Sequence, residues 1–124
     1  MGILLWVIQV VLALAFLAAG FMKVSRPKQE LRLRMEWVES FAPRTIHLIG
    51  AAEILGAIGL ILPVATGVAP FLTLLAAIAL AVVMVGAIWV HATRRDPAKE
   101  TLPSIVLLVL LILTIIGLLA LDRV

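Results

Sequence analysis

Four long apolar runs dominate the chain. They cover about residues 3–22, 46–62, 68–90 and 102–121 of 124. Each is near the 17–25 residues that cross about 30 Å of hydrocarbon as a helix. Within the runs the apolar residues are continuous and do not alternate, which excludes barrel strands. In lipid every backbone N–H and C=O must be paired inside the segment, so helices are the remaining solution. The pattern predicts an all-α polytopic membrane protein: a four-transmembrane-helix bundle forming a single domain over residues 1–124.

The breaks between the runs differ. Between the first and second spans, residues 27–43 form the longest polar stretch, bounded by Pro27 and Pro43. On a helical wheel Leu31, Met35, Val38 and Phe41 cluster, opposite Arg32, Glu36, Glu39 and Ser40. The expectation is a short amphipathic cytoplasmic helix lying on the membrane surface, with a role as an anchor or a lid. Between the second and third spans, Leu62-Pro63 is expected to end a helix, and Pro63 to Gly67 to form a short uncharged turn closing an antiparallel hairpin. The fourth span should start with Thr101 as N-cap and Pro103 in its first turn. Its interior is nearly all Leu, Ile and Val, so it is expected to be the most lipid-exposed helix and the least functional. The first span ends in small residues, as a cleavable leader does, but has no Lys or Arg before Lys23 and is read as a retained helix.

Composition agrees with this class. The chain is 65% hydrophobic and carries 14% charged residues, too few to coat a soluble domain of this size. The charges are placed asymmetrically. Lys23, Arg26, Lys28, Arg32, Arg34 and Arg44 lie between spans one and two, and Arg94, Arg95 and Lys99 between spans three and four. Both groups fall on the same side of the membrane, and only Arg123 lies on the other. The positive-inside rule makes both charged loops cytoplasmic and puts both termini outside. These basic residues set topology and meet anionic lipid head groups, so nucleic acid is not an expected partner.

Candidate chemistry is sparse. The chain has no cysteine, so it runs no thiol–disulfide chemistry of its own. His47 and His91 stand apart in sequence with no metal-ligand spacing, and no metal site is expected. Phosphate loops and nucleophile motifs are missing too, so no catalytic residues are assigned and independent enzymatic activity is not expected.

What remains is a handful of polar residues inside apolar runs. Glu53 is the only charged residue between Ile46 and Leu62. A carboxylate near mid-bilayer costs roughly 2.5–3.5 kcal/mol even on lenient insertion scales, and such residues commonly face a bundle interior and serve function. Gln9, Ala13, Phe16, Gly20 and Lys23 share one face of the first span. Gly50, Glu53, Ala57 and Leu60 share a face of the second, and Thr73, Ala77, Leu80, Met84, Ala87 and His91 a face of the third. The candidate ligand-binding or proton-carrying residues are therefore Glu53, Lys23, His91 and Gln9. Gly20, Gly50, Ala52, Gly56 and Gly59 are the candidate helix-packing positions, with Ala52 and Gly56 as a small-x-x-x-small pair. At 1.5 Å per residue Glu53 sits about 13 Å inside the cytoplasmic boundary, and Gln9 about 8 Å deeper. Each candidate has a plainer role. Glu53 serves packing alone, His91 snorkels at the interface, Lys23 anchors the helix end and directs its head to water, and Gln9 bonds a neighbouring helix.

Three strings, AFLAAGFMKV, LIGAAEILGAIGLILP and MVGAIWVH, occur in this order in a four-span chain of this length. Together they resemble the DoxX-like family of small bacterial inner-membrane proteins over nearly the whole chain. The family pattern carries over to Gly20, Lys23, Gly50, Glu53, Gly56, Gly59, Pro63 and His91. The resemblance implies a multi-pass inner-membrane location and association with membrane oxidoreductase assemblies, which in named relatives include a thiosulfate:quinone oxidoreductase. The expected role is an accessory, quinone- or lipid-associated component of a membrane redox system. Quinone or lipid would be the bound cofactor, and membrane lipids, oxidoreductase subunits and a second copy of the chain the partners. Two other classes stay open. A small proton-coupled transporter using Glu53 is similar in outline to the small multidrug transporters, which carry their glutamate in the first helix, where this chain has Gln9. The third class is a structural bundle in which Glu53 only packs, so that Glu53→Leu folds at least as well.

Overall fold

The computed structural model describes residues 2–27, 29–30 and 41–121. It contains four long helices: α1 Gly2–Ser25, α2 Pro43–Thr66, α3 Phe71–Arg94 and α4 Ala98–Ala120. At 23–24 residues each is about 35 Å long, more than a hydrocarbon core requires. All four are long and apolar enough to cross a membrane. The amphipathic helix expected over 27–43 rests on Leu31, Met35, Trp37 and Val38, which lie outside the described residues.

The helices outrun the expected spans at most ends, and two prolines explain much of the difference. Pro63 does not stop α2, which continues to Thr66 and ends on Gly67 in the left-handed conformation (φ 74°). Pro103 lies five residues inside α4, which starts at Ala98 directly after Pro97, so Thr101 is not its cap. Proline interrupts helices less in a bundle of this kind, because neighbouring groups re-satisfy the backbone it disrupts. The α2–α3 turn is consequently Gly67–Pro70 rather than 63–67.

The α3–α4 turn is tighter still. Arg95 takes the left-handed conformation (φ 58°), its N–H bonds Ala92 O, and the Asp96 N–H bonds His91 O. This is a Schellman motif, and Pro97 prevents α3 from continuing.

Short turns place neighbouring helices antiparallel. α1 packs most extensively on α2, α2 and α4 both flank α3, and a narrower α1–α4 seam closes the ring. Leu12, Phe16, Ala57, Leu60, Ala77, Leu80, Met84 and Leu111 fill the centre. The outer surface is equally apolar, with Leu14, Leu55, Val82 and Ile116 all more than half exposed. An apolar exterior over an apolar core is how a bundle solvated by lipid looks. As expected, α4 buries the fewest residues, four against five in α3 and six each in α1 and α2. It buries Ser104, Leu111, Thr114 and Leu118.

Glycines set the closest approach. A Cβ on Gly20 would stand 2.6 Å from Gly50 O, and one on Gly50 2.7 Å from Gly20 O, so the α1 and α2 backbones touch here. Gly56 receives Leu80 and Gly59 receives Ala76, both from α3. Ala52, expected on this seam, is exposed. The contacts of α2 run through positions 50, 53, 57 and 60, and position 52 points out of the bundle.

Candidate functional site

Lys23 and Glu53 meet. Lys23 Nζ donates to Glu53 Oε1 at 2.6 Å, with the two side chains 8% and 3% exposed. The expectation that Lys23 turns outward to water does not hold. Side chains on a helix tilt toward its N-terminus. α1 and α2 run in opposite directions, so Lys23 leans away from the charged-loop end and Glu53 leans toward it. The tilts close the gap that axial heights alone suggest. Gly20 and Gly50 complete the arrangement, because without Cβ atoms between them the two helices approach closely beside the pair, and Lys23 Cβ itself packs against Gly50.

Gln9 lies elsewhere. Its Nε2 donates to Leu60 O at 2.7 Å, the expected interhelical bond, in the turn that precedes Pro63. Seven residues of α2 separate Leu60 from Glu53, about 10 Å along the axis. Two fully buried polar atoms in this half, Gln9 Oε1 and Thr73 Oγ1, have no hydrogen-bond partner among the described residues.

His91 forms a second polar cluster at the same end of the bundle as Lys23. It is buried, 6% exposed, rather than snorkelling. Its Nδ1 lies 2.8 Å from Asp96 Oδ2, and the Asp96 side chain is 6% exposed. Arg94 Nε approaches Asp96 Oδ2 at 3.3 Å and Oδ1 at 3.4 Å. The hydrogen bond with His91 holds the Asp96 carboxyl below the usual carboxylate range, against burial and with the support of Arg94. Glu100, in the first turn of α4, completes the cluster: ligand-type atoms of His91, Asp96 and Glu100 all lie within 4.8 Å of one another. His91 is therefore isolated in sequence but not in space. Sequence reasoning missed Asp96 and Glu100, because the hydropathy pattern started the fourth span at residue 102 and left both in a loop. The available signal was the spacing of His91, Asp96 and Glu100 around Pro97.

The four candidates thus separate into three places: Lys23 with Glu53, Gln9 with Leu60, and His91 with Asp96. The model of the DoxX-like family matches residues 7–114. That match runs from within α1 to within α4 and includes both charged clusters. The chain belongs to the DoxX-like family. No curated protein and no solved structure matches it. Four membrane-crossing helices in a DoxX-like chain make it a multi-pass membrane protein. In this DoxX-like protein, Lys23 and Glu53 form a neutral pair that supplies hydrogen-bond donors and acceptors below an apolar core. Interactions of that kind are stronger in a low-dielectric setting.

Proposed function

We propose that this DoxX-like protein binds an amphiphile, a quinone or a lipid, at the Lys23–Glu53 pair and acts as an accessory component of a membrane redox system. The observation that supports this is the burial of a complete ion pair within a membrane-crossing helix pair. In such a place ionisable groups are costly, and they commonly mark a functional site. The Lys23 ammonium suits a headgroup carbonyl or phosphate. Glu53 gives Oε1 to the lysine, and Oε2 is the atom a headgroup hydroxyl would meet. The apolar helix surfaces suit an isoprenoid or acyl tail. With no cysteine in the chain, electrons would pass to a partner subunit. The excess of basic residues in the two charged loops supports a cytoplasmic position for that end, in the bacterial inner membrane, with both termini outside.

The test is mass spectrometry of lipid extracts from protein purified in mild detergent. Wild type is compared with Glu53→Gln and with the Lys23→Gln/Glu53→Gln double variant, which strands no charge. A quinone or lipid retained near one per chain by wild type, and reduced at least about tenfold in both variants, supports the reading. Equal retention in all three, or none in wild type, overturns it and leaves the pair as a packing clasp between α1 and α2.

A further inference from the structure

We propose that His91, Asp96 and Glu100 form a binding site for a first-row divalent transition-metal ion at the turn joining α3 and α4. The three residues come from two helices and the turn between them. His91 ends the buried face of α3, the Schellman turn at Arg95 fixes Asp96 beneath it, and Pro97 starts α4 so that Glu100 comes round one turn later.

Distances suit an ion. Metal–donor bonds of about 2.0–2.2 Å hold two donor atoms roughly 3–4.3 Å apart on one ion. The three ligand-type atoms here lie within 4.8 Å of one another, so a rotamer adjustment of the half-buried Glu100 closes the set. The His91–Asp96 separation of 2.8 Å is that of a hydrogen bond, slightly shorter than this range, so these two side chains also part a little to take up an ion. An ion bound by both atoms replaces that hydrogen bond.

Charge points the same way. Two carboxylates share the cluster, and like charges this close disfavour each other unless a cation or proton intervenes. Arg94 and His91 both serve Asp96. Glu100 makes no side-chain hydrogen bond or ion pair among the described residues. Among the described residues the two carboxylates of the cluster meet one guanidinium, that of Arg94, and a cation offsets the remaining negative charge. One imidazole and two carboxylates match zinc, manganese or ferrous iron. Calcium takes six to eight oxygen ligands and does not fit this set. An ion here would pin the end of α3 to the start of α4, independently of the Lys23–Glu53 pair.

The probes are Zn²⁺ and Mn²⁺, titrated calorimetrically into chelator-stripped full-length protein in detergent. Wild type should bind one ion per chain saturably, and its melting temperature should rise on binding. Glu100→Gln should weaken binding at least about tenfold, by comparison with the loss on removing even outer partners of metal ligands, and should leave the melting temperature of the ion-stripped protein unchanged. His91→Gln should weaken binding at least as much, and His47→Gln should have no effect. Absence of saturable binding to wild type, equal affinity in Glu100→Gln, or loss of binding in His47→Gln overturns the proposal.

Discussion

Removing Glu53 alone and removing it together with Lys23 have opposite expected effects. At 2.6 Å two unit charges attract by about 6 kcal/mol at an effective dielectric constant of 20. Desolvation costs several kcal/mol per ion, so the intact pair is close to neutral in net stability. Breaking it is not neutral, because one charge is left buried and unpaired, at a cost of about 3–5 kcal/mol. The two single variants should differ within that range. In Glu53→Leu the stranded group is Lys23, two residues from the end of α1, whose stem can swing to water. The cost should fall at the lower end. In Lys23→Leu the stranded group is Glu53, ten residues into α2. Its short side chain cannot reach water, and taking up a proton at pH 7 from an ordinary pKa near 4.3 costs about 3–4 kcal/mol. The double Leu variant removes both charges and should match wild type or exceed it by about 1–4 kcal/mol. Reversible unfolding by SDS in mixed micelles, followed by tryptophan fluorescence, gives all four corners of the cycle. A coupling energy of at least about 3 kcal/mol is expected. Single effects that sum to the double effect within about 0.5 kcal/mol would refute the pairing.

Other perturbations probe the packing and the orientation. Gly20→Ala should cost about 1–3 kcal/mol in the same unfolding assay, because its new Cβ meets the Gly50 carbonyl at 2.6 Å and a touching backbone cannot move aside. Gly86→Ala, with nothing within 4 Å, should be neutral or stabilising by up to about 1 kcal/mol; equal effects at the two positions would disprove the α1–α2 contact. Thr73→Val keeps the shape and removes a buried hydroxyl with no partner among the described residues, so stability should hold or rise by about 1 kcal/mol. A clear loss would mean that a water or ligand bonds that hydroxyl. Because the chain has no cysteine, single cysteines report orientation cleanly. An impermeant maleimide added to intact spheroplasts should label Val68→Cys and spare Arg95→Cys, and the reverse pattern would invert the topology.

The sequence made the four spans legible because an apolar run of twenty residues has few other solutions. It misplaced two ends where proline was taken as a boundary: Pro63 was read as a stop and Pro103 as part of a first turn, and both lie further inside their helices. The buried faces of α1, α2 and α3 were legible as well, since Phe16, Gly50, Leu60 and Met84 fall where a 3.6-residue period puts them. Which of these residues touch was not legible. Axial height placed Lys23 near the surface and Glu53 well below it. Only the antiparallel packing at Gly20 and Gly50, with opposite side-chain tilts, brings the ammonium to the carboxylate. Ala52 shows the converse error: small size suggested a contact, but its angular position turns it out of the bundle. The cluster at His91 was hidden because it depends on a left-handed turn at Arg95, a residue that gives no compositional hint of that conformation.

The polarity of the interior runs in one direction along the bundle, and this bears on the choice among functions. The buried ionisable groups of the described residues, Lys23, Glu53 and His91, belong to the half toward the charged loops. The other half offers Gln9, Thr73 and Thr114. Gln9 is tied to Leu60 O and the Thr114 hydroxyl to Leu110 O. Between the halves Leu12, Phe16, Leu60, Leu80 and Leu111 are at most 1% exposed. A proton-coupled carrier needs its carboxylate to face each side in turn, across a route that polar groups or water keep open. Here the carboxylate is paired, and the layer beyond it is closed and apolar. A ligand whose polar head enters from one leaflet and whose tail remains in lipid needs neither an open route nor a second access point. One-sided binding of an amphiphile, the function we propose, therefore asks least of this arrangement.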